Sequence, residues 1–433
     1  IPYLWLTVGF ITAIFLFEHY LDRLVESNRQ LHPTVVPEEL KHAIPQDKFT
    51  KSLLYGVDKF SFGNIEGSFM FLEGFALILL GWLPYIWDFS LFLIERFGLV
   101  TAETSYFWKE VLATTAFMFL ISLHDTVISL PFSLYSTFVV EEKHGFNKTT
   151  LGLFLRDKLI SLVLGLVIGC PIFAVVIYVV RNGGPYFYFY VWAFLFSVTL
   201  VLMTIYPTLI APLFNTYTPL KDGKLYDQIE ELAKKVDFPL TKIFVVDGSK
   251  RSAHSNAYFY GFFKNKRIVL YDTLIAQVET PELLAILGHE IGHWKLWHTM
   301  QGFFITQIYI FTLFLSFSAV QNTPDLFSAF GFKYEADESG HNSMPVLIAL
   351  TLFTQTFWGP VEKCLTLAMN FNSRYNEFQA DKYACTLGMG HELAEGLVKI
   401  SVENLGNMVP DSLYSLYHFS HPPLVERLRA IKA

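Results

Sequence analysis

The feature that most constrains this chain is a series of long apolar stretches without charged side chains, among them Leu159–Val180, Asn182–Leu220 and Thr299–Pro324. A helix needs about 20 apolar residues to cross the roughly 30 Å hydrocarbon core of a bilayer, and each stretch is long enough. Charged residues make up only 16% of the chain, whereas soluble domains carry about 25%. The sequence therefore predicts a polytopic membrane protein and excludes a soluble enzyme or a disulfide-rich secreted scaffold.

Seven membrane spans are predicted, near residues 1–19, 67–94, 110–140, 155–180, 186–214, 299–322 and 343–369. The Lys and Arg counts of the segments that follow these spans alternate as 6, 2, 4, 1, 11, 1 and 6, where the third count includes Arg156 and Lys158 at the start of the fourth span. Because positively charged loops stay in the cytosol, this alternation predicts a lumenal or external N-terminus and cytosolic segments at 215–298 and 370–433. The apolar run Pro2–Phe17 is expected to be a trimmed first span, since no basic region or cleavage site of a signal peptide accompanies it.

Charge and cysteine content exclude several kinds of partner. The net charge of −7 provides no overall positive field for nucleic acid. Cys170, Cys364 and Cys385 form no C-x-x-C pair, and cysteines in apolar spans are most simply small core residues. No internal repeat is visible, which weakens the hypothesis of a transporter built from duplicated halves.

Segment 215–298 has the pattern of a soluble domain. Tyr226–Val236 places its apolar side chains on one face, which is typical of an amphipathic helix. Apolar and aromatic runs predict strands at Lys242–Val246, Ser255–Phe263 and Arg267–Tyr271. A second helix is predicted to begin with Thr280 as N-cap and Pro281 as its first helical residue, and to continue through residue 298.

This second helix carries His289-Glu290-Ile291-Gly292-His293, which has the H-E-x-x-H pattern. Histidines four residues apart lie on one helix face, so both imidazoles can bind one Zn²⁺ at about 2.0–2.1 Å. Glu290 lies beside the first histidine and can act as the base for an attacking water. The alternatives are a helix whose surface histidines bind no metal and a structural zinc site, although a structural site has no need of Glu290.

A catalytic zinc needs a third protein ligand and an open fourth position. Glu377, in the stretch Glu377–Asp381 (EFQAD), is the best candidate, because it follows the seventh span and is therefore on the same side of the membrane as His289. Asp381 lies one turn later, where it can hydrogen-bond the second ring nitrogen of a ligand histidine. The E-x-x-A-D pattern alone is weak, and ordinary helix surface is its alternative.

These motifs resemble the integral-membrane zinc metallopeptidases of the gluzincin class, and within them the type I CaaX prenyl endopeptidases, which process fungal mating pheromone a-factor and animal prelamin A. The resemblance extends over the whole chain. Further stretches that carry it are Ser255–Tyr258, Arg374–Asp381, Ser420–Pro423 and Glu426–Arg427. The seven spans favour this family over related membrane quality-control proteases, and we expect a fungal member.

The resemblance implies one Zn²⁺ per chain, with His289, His293 and Glu377 as ligands. It assigns Glu290 as the base that takes a proton from the attacking water, and the same group can then protonate the leaving amine. Asp381 is implied behind a ligand histidine. These assignments agree with the chemistry that the residue types allow.

The resemblance also places three further residues near the reaction. His421 and Arg427, expected on successive turns of a terminal helix, are implied as contacts of the substrate or of the oxyanion. Asn256, in the aromatic strand, is implied as a substrate contact, and an edge strand there can pair with an extended peptide. The alternatives are a helix-capping histidine, a surface arginine and a turn asparagine.

Other polar residues are ambiguous. Three histidines near the zinc segments are expected at the surface or behind a ligand: His254, His298 and His418. Charges inside the spans are costly and are expected either to line an aqueous chamber or to form interfacial or interhelical pairs. These are Glu73, His124, Asp125, Glu362 and Lys363.

In fold class, we predict an all-α polytopic membrane protein with seven transmembrane helices and a cytosolic gluzincin-like zinc metalloprotease domain containing a small β-sheet. Residues 1–214 are expected to form helices 1–5, and 299–369 helices 6 and 7. Residues 215–298 and 370–433 are expected to be the two segments of the protease domain.

The resemblance implies removal of the C-terminal aaX tripeptide from prenylated, chiefly farnesylated, CaaX proteins, with a second upstream cleavage of pheromone- or lamin-type precursors. The expected partners are these substrates and the lipid bilayer, in the endoplasmic reticulum and the inner nuclear membrane. A quality-control zinc protease for misfolded or translocon-jammed chains, and a transporter with a structural zinc site, are the alternatives.

Overall fold

A computed structural model gives the fold and describes residues 2–31, 35–37, 40–261, 265–333 and 344–432. The first half of the chain forms six helices: α1 (Tyr3–Leu31), α2 (Gln46–Leu79), α3 (Trp82–Arg96), α4 (Tyr106–Tyr135), α5 (Leu151–Asn182) and α6 (Phe187–Ile205). π-helical turns extend α4 and α6 at their C-terminal ends. The apolar stretches of the sequence are therefore helical, as predicted.

The predicted second span, 67–94, is wrong in its bounds. Helix α2 begins 21 residues earlier, at Gln46, and ends at Leu79, while α3 is a separate helix. Gly81 between them has a φ of 69°, a left-handed conformation that glycine adopts without steric cost. The sequence conceals this break because apolar residues continue on both sides of the glycine.

The next segment forms a four-stranded sheet and three helices: β1 (Tyr217–Pro219), α7 (Lys224–Lys235), β2 (Leu240–Val246), β3 (Ala257–Tyr260), β4 (Lys266–Tyr271), α8 (Asp272–Gln277) and α9 (Thr280–Lys295). The strand order is β1-β2-β4-β3, with β2 and β4 parallel and the other pairs antiparallel. The β3 strand therefore lies at one edge of the sheet. It is shorter than the predicted aromatic strand, whose end at Phe263 lies outside the described residues.

Helix α9 differs from its prediction at both ends. Its N-cap is Glu279, not Thr280, because Glu279 and Glu282 form a capping box in which Glu282 Oε2 accepts the Glu279 N–H at 2.8 Å. The helix ends at Lys295 and does not reach residue 298. The turn that ends it contains Trp297, whose φ is 64°, and a new helix begins at the next residue.

The remaining helices are α10 (His298–Ser318), α11 (Pro324–Ala329), α12 (Val346–Phe353), α13 (Gly359–Thr386), α14 (Gly390–Glu403), α15 (Ser412–His418) and α16 (Leu424–Lys432). A π-helical turn at Thr354–Trp358 joins α12 to α13. Six segments of the described chain are long and apolar enough to cross a membrane: Tyr3–Glu26, Gln46–Leu79, Tyr106–Glu141, Leu151–Asn182, Gly184–Leu213 and His298–Ser318. The predicted seventh span is helical through α12 and α13, but Gln355, Glu362 and Lys363 interrupt its apolar character. The count of seven stays a prediction.

The core of the protease segment is built around α9. Its apolar face, which includes Leu283, Leu287 and Ile291, packs with β4, α13 and α14. A methyl group on Gly292 would lie 3.1 Å from Tyr383 and 3.3 Å from the Cα of Ala380. Glycine at this position therefore allows α9 and α13 to approach closely, which brings the histidine face of α9 against α13.

Two sets of polar contacts mark opposite parts of the helix bundle. Arg181 at the end of α5 binds the buried carboxylate of Glu110 at 2.9 Å and donates to the main-chain oxygen of Met344 at 2.7 Å. At the other end of the same helices, Asn147 forms a β-bridge with Ser252, which precedes β3. The protease segment is thus tied to the end of the bundle away from Arg181.

Candidate metal centre and active-site cleft

His289, His293 and Glu377 converge on one point between α9 and α13. The two Nε2 atoms are 3.2 Å apart, and the Glu377 carboxylate oxygens lie 3.5 Å from His289 Nε2 and 3.3 Å from His293 Nε2. One ligand atom from each residue lies within 4.8 Å of the others, and His289 and Glu377 are buried. The two patterns, 84 residues apart along the chain, therefore form one cluster.

The spacing of these three atoms fits a zinc ion. Ligands at about 2.0–2.1 Å in tetrahedral geometry are roughly 3.3–3.4 Å from one another. The three contacts range from 3.2 to 3.5 Å. Two imidazoles and one carboxylate form the donor set of catalytic zinc sites that keep a fourth position open. The two contacts to Glu377 run to different carboxylate oxygens, and one ligand atom from each residue lies within 4.8 Å of the others, so the three residues fit one Zn²⁺.

Asp381 holds the second nitrogen of His289, as expected. His289 Nδ1 lies 2.8 Å from Asp381 Oδ1. Arg427 binds the same carboxylate in a bidentate pair, with Nε and an Nη atom at 2.9 and 2.6 Å. Burial opposes ionisation of Asp381, but hydrogen bonds from His289 and Arg427 outweigh it and lower the pKa of this carboxyl. The carboxylate stays ionised and fixes the ring of His289.

The carboxylates also change how His289 and Glu377 titrate in the metal-free chain. Burial opposes protonation of His289, but hydrogen bonds to Asp381 and Glu377 outweigh it and raise the pKa of His289 to about 9. Burial likewise opposes ionisation of Glu377, whereas hydrogen bonds from His289 and His293 lower its pKa. In the metal-free chain, His289 is therefore held as an imidazolium beside an anionic carboxylate, and binding of a metal ion has to displace its proton.

His298 supports the second histidine. Its Nδ1 lies 3.0 Å from His293 Nδ1, and its Nε2 lies 2.9 Å from Gln379 Oε1. Because Gln379 Oε1 can only accept, His298 donates from Nε2 and accepts from His293 at Nδ1. This arrangement leaves His293 Nε2 free to bind a metal. The sequence left His298 undecided between the surface and a place behind a ligand, and the structure places it behind His293.

Glu290 faces a cleft beside the cluster. The cleft has a volume of about 480 Å³ and is lined by Glu290 and His293, by Tyr258 and Phe259 of β3, and by residues of α10 and α13. Burial raises the pKa of Glu290. A carboxyl group with a raised pKa is better suited to accept a proton from water and to return it later. Because α10 is a candidate membrane span, the cleft extends from the metal cluster towards the helix bundle.

His421 and Arg427 both reach Glu377, but not from one helix. His421 lies in the loop before α16, so its predicted place on a terminal helix is wrong; the Pro422-Pro423 pair delays the helix until Leu424. His421 Nε2 is 3.4 Å from Glu377 Oε1, and its side chain is 65% exposed. Arg427, in α16, has a side chain that is 12% exposed and lies 3.6 Å from Glu377 Oε2. Only His421 is therefore freely accessible from solvent.

Asn256 lies directly before β3 and is exposed. Its side-chain oxygen accepts the N–H of Ala257 at 2.8 Å, while its main-chain oxygen accepts the N–H of Tyr271 at 3.1 Å. Within the described chain, the residues of β3 that line the cleft are Tyr258 and Phe259. Asn256 is thus placed at the end of the edge strand, and its contact with a substrate stays a prediction.

The other histidines have structural contacts. His254 stacks on Phe146 at a ring distance of 4.0 Å and contacts Glu141 at 3.3 Å. His418 packs against the rings of Tyr414 and Tyr417. Neither belongs to the cluster of His289, His293 and Glu377.

The charged residues inside the predicted spans were expected either to line an aqueous chamber or to form interfacial or interhelical pairs. His124 pairs with Glu73 at 3.2 Å and with Asp125 at 3.0 Å, and the first of these pairs joins two helices. Glu362 and Lys363 line a cavity of about 610 Å³ between α1, α2 and α13. Most other residues that line this cavity are apolar, and Lys363 also pairs with Glu18 of α1 at 2.7 Å. An aqueous chamber at these residues stays a prediction.

Comparison with known families covers nearly the whole chain. The family described as CAAX prenyl protease N-terminal, five membrane helices, matches residues 27–216. Peptidase family M48 matches residues 219–433, which include the metal cluster and Glu290. The first match supports a multi-pass membrane protein and the second a metallopeptidase.

Individual relatives match over nearly their full length. A CAAX prenyl protease 1 homolog of Arabidopsis thaliana is 46% identical and covers 100% of this chain and 98% of the relative. The human homolog is 40% identical, with coverage of 97% and 93%. CAAX prenyl protease 1 of Saccharomyces cerevisiae is 38% identical, with coverage of 100% and 95%. The higher identity to the plant relative gives no support to the expected fungal source.

A solved structure has the same fold. The crystal structure of S. mikatae Ste24p superposes with a TM-score of 0.92 at 37% identity, and each chain is covered to 100%. Helices and protease segment are therefore arranged in this chain as in a solved relative.

Proposed function

We propose that this chain, which belongs to the CAAX prenyl proteases of peptidase family M48, removes the C-terminal aaX tripeptide from farnesylated CaaX proteins. In this proposal His289, His293 and Glu377 hold one Zn²⁺. The chain is a membrane CaaX-processing metalloprotease. The observation that carries the detailed proposal is the convergence of the three ligand atoms beside Glu290, at a cleft that reaches a candidate membrane helix.

The residues divide the chemistry among them. Zinc, when bound, acts as a Lewis acid on the scissile carbonyl and activates water. Glu290 accepts the proton of the attacking water and returns it to the leaving amine. Asp381 fixes the ring of His289. In this proposal His421 donates a hydrogen bond to the oxyanion, and its exposure beside Glu377 supports that role.

Arg427 has a different role in this proposal from that expected. Two guanidinium nitrogens are used in its bidentate pair with Asp381, and little of its side chain is exposed to solvent. We infer that it positions Asp381 and, through it, His289. The oxyanion contact then falls to His421.

A prenylated CaaX peptide is expected to be cleaved with a much higher kcat/KM than its unprenylated twin, after the modified cysteine. Each buried CH₂ of the prenyl chain contributes about 0.8 kcal/mol. Apolar helices beside the cleft provide a surface for that burial. The measurement is the steady-state rate for both peptides, with mass analysis of the products.

Equal kcat/KM for the two peptides would contradict prenyl selectivity and leave the metalloprotease in place. A quality-control protease would cleave an unstructured chain without a prenyl group at a comparable rate, so such a chain is the control substrate. The full-length similarity to CAAX prenyl proteases favours CaaX processing over this alternative, and over a transporter with a structural zinc site.

Replacement of His298 by Leu is expected to weaken zinc binding about 10–100-fold, the loss typical of residues that orient a ligand. The reason is that His293 loses the acceptor for its Nδ1–H. Competition with a chelator measures the affinity. The control is His391→Leu, at a histidine whose side chain is 80% exposed. Unchanged zinc affinity in His298→Leu would show that His293 is oriented without this contact.

We also propose that the protease segments 215–298 and 370–433 face the cytosol, in the endoplasmic reticulum and the inner nuclear membrane. In a variant without native cysteines, a cysteine at exposed Thr101 is expected to react with an impermeant reagent only from the lumenal side. A cysteine at exposed Lys221 is expected to react only from the cytosolic side. The opposite pattern would reverse the proposed orientation.

A further inference from the structure

Two asparagines of α13 line the active-site cleft and have no part in the proposed chemistry. Asn372 and Asn376 both border the cleft that contains Glu290 and His293. They are four residues apart and therefore lie on the same helix face. Asn376 directly precedes Glu377. The pair thus forms a polar wall immediately beside the reacting centre.

One glutamine holds both amides in place. Gln301, in the first turn of α10, donates from Nε2 to Asn372 Oδ1 at 3.0 Å. Its Oε1 accepts from Asn376 Nδ2 at 2.9 Å. Because both ends of the Gln301 amide are used, the orientation of each asparagine amide is fixed relative to the other.

The two hydrogen bonds of Gln301 leave one N–H donor and one oxygen acceptor of the asparagine pair available. Among the residues that the structure describes, none bonds to Asn372 Nδ2 or to Asn376 Oδ1. Rotating all three amides by half a turn preserves both hydrogen bonds and only exchanges which asparagine presents the donor. In either orientation the pair offers one N–H donor and one oxygen acceptor.

The cleft is also lined by Tyr258 and Phe259 of the edge strand β3. Cβ atoms four residues apart on a helix are about 5–6 Å apart. Main-chain groups on one side of an extended peptide recur at roughly 6.5–7 Å, two residues at a rise of about 3.3 Å. The two spacings differ by about 1 Å, which rotation of the asparagine side chains can cover. An extended peptide in the cleft can then present a carbonyl and an N–H to the two amides.

We propose that Asn372 and Asn376 form a binding site for the main chain of the peptide substrate, one amide donating to a carbonyl oxygen and the other accepting from an N–H. The site rests on the proposed function, because it lies in the same cleft. A prenyl chain has no group that could bond to these amides, and covering them with hydrocarbon would cost free energy. Peptide recognition and prenyl binding are thus assigned to different surfaces.

The test measures binding without cleavage, in the Glu290→Gln background. The probe is a fluorescent farnesylated CaaX peptide, and fluorescence anisotropy gives its Kd. Asn372→Ala and Asn376→Ala are each expected to raise the Kd about 2–10-fold, the range for one lost hydrogen bond. Zinc content should not change. Asn182→Ala is the matched control, since that amide bonds to the Tyr178 carbonyl at the far end of the bundle.

A second measurement separates a main-chain contact from a general loss of structure. Peptides carrying one N-methylated amide at successive positions are compared in the parent and in both asparagine variants. At one peptide position, methylation is expected to weaken binding to the parent, which is the Glu290→Gln protein with both asparagines. In the asparagine variant that lacks the acceptor, methylation at that position should cause no additional loss of binding. Parent-like Kd values for all peptides in both variants would overturn the inference and leave the proposed function intact. A parent that binds no CaaX peptide would overturn both.

Discussion

Glu290→Gln is expected to keep zinc and to abolish cleavage. The amide has nearly the same size as the carboxylate but cannot accept the proton of the attacking water. Loss of a general base typically costs about 10²–10⁴-fold in rate, and more where the base also orients the water. The ligand atoms of His289, His293 and Glu377 are untouched by this change. The measurements are the turnover of a farnesylated CaaX peptide and the zinc content of the purified protein.

A matched control is Glu395→Gln, at an exposed acid of α14 whose partner is the exposed His391. This variant should retain both zinc and turnover. Near-normal turnover in Glu290→Gln would remove the base from the proposed mechanism. Loss of zinc together with activity would instead assign Glu290 a part in holding the metal.

Glu377→Ala is expected to lose zinc to a greater extent than Asp381→Asn. Glu377 is the proposed third ligand, whereas Asp381 contacts His289 from behind. Residues in the position of Asp381 typically contribute about 10–100-fold to metal affinity or activity. Removing the ligand Glu377 should therefore lower the zinc affinity by more than that range. Chelator competition on both variants gives the comparison.

Full zinc content and activity in Glu377→Ala would require a different third ligand. His421 would be tested first, because its Nε2 lies 3.4 Å from the Glu377 carboxylate. His418 would follow, although its ring packs between tyrosines of α15. An equal loss of zinc in Glu377→Ala and Asp381→Asn would contradict the distinction between ligand and supporting residue.

Much of the site was predictable because its residues lie in short local patterns. The i, i+4 spacing of His289 and His293 places both rings on one helix face in any context. Asp381 follows Glu377 by one turn, so a ligand and its support share one helix. These relations depend only on helical periodicity, and the structure contains the contact expected between His289 and Asp381.

Residues whose roles depend on long-range contacts were missed or misplaced. Gln301 has no sequence pattern that connects it to Asn372 and Asn376, which lie 71 and 75 residues away. The expected contact of Arg427 with the substrate or the oxyanion stays a prediction, but its pair with Asp381 was not foreseen. Both contacts were missed for the same reason, since sequence spacing carries no information about which helices meet.

The sequence by itself determined the membrane class, the helical character of the long apolar stretches and the paired histidines, because hydropathy and helical periodicity are local properties of the chain. Only the tertiary structure decided what surrounds the histidines. Trp297 breaks the predicted continuous helix with a left-handed turn, and this break allows His298 to return against His293. Gly292 allows α13 to approach α9 closely enough for Glu377 to complete the cluster. A backbone reversal and a helix contact depend on packing across the whole domain, which no local pattern encodes.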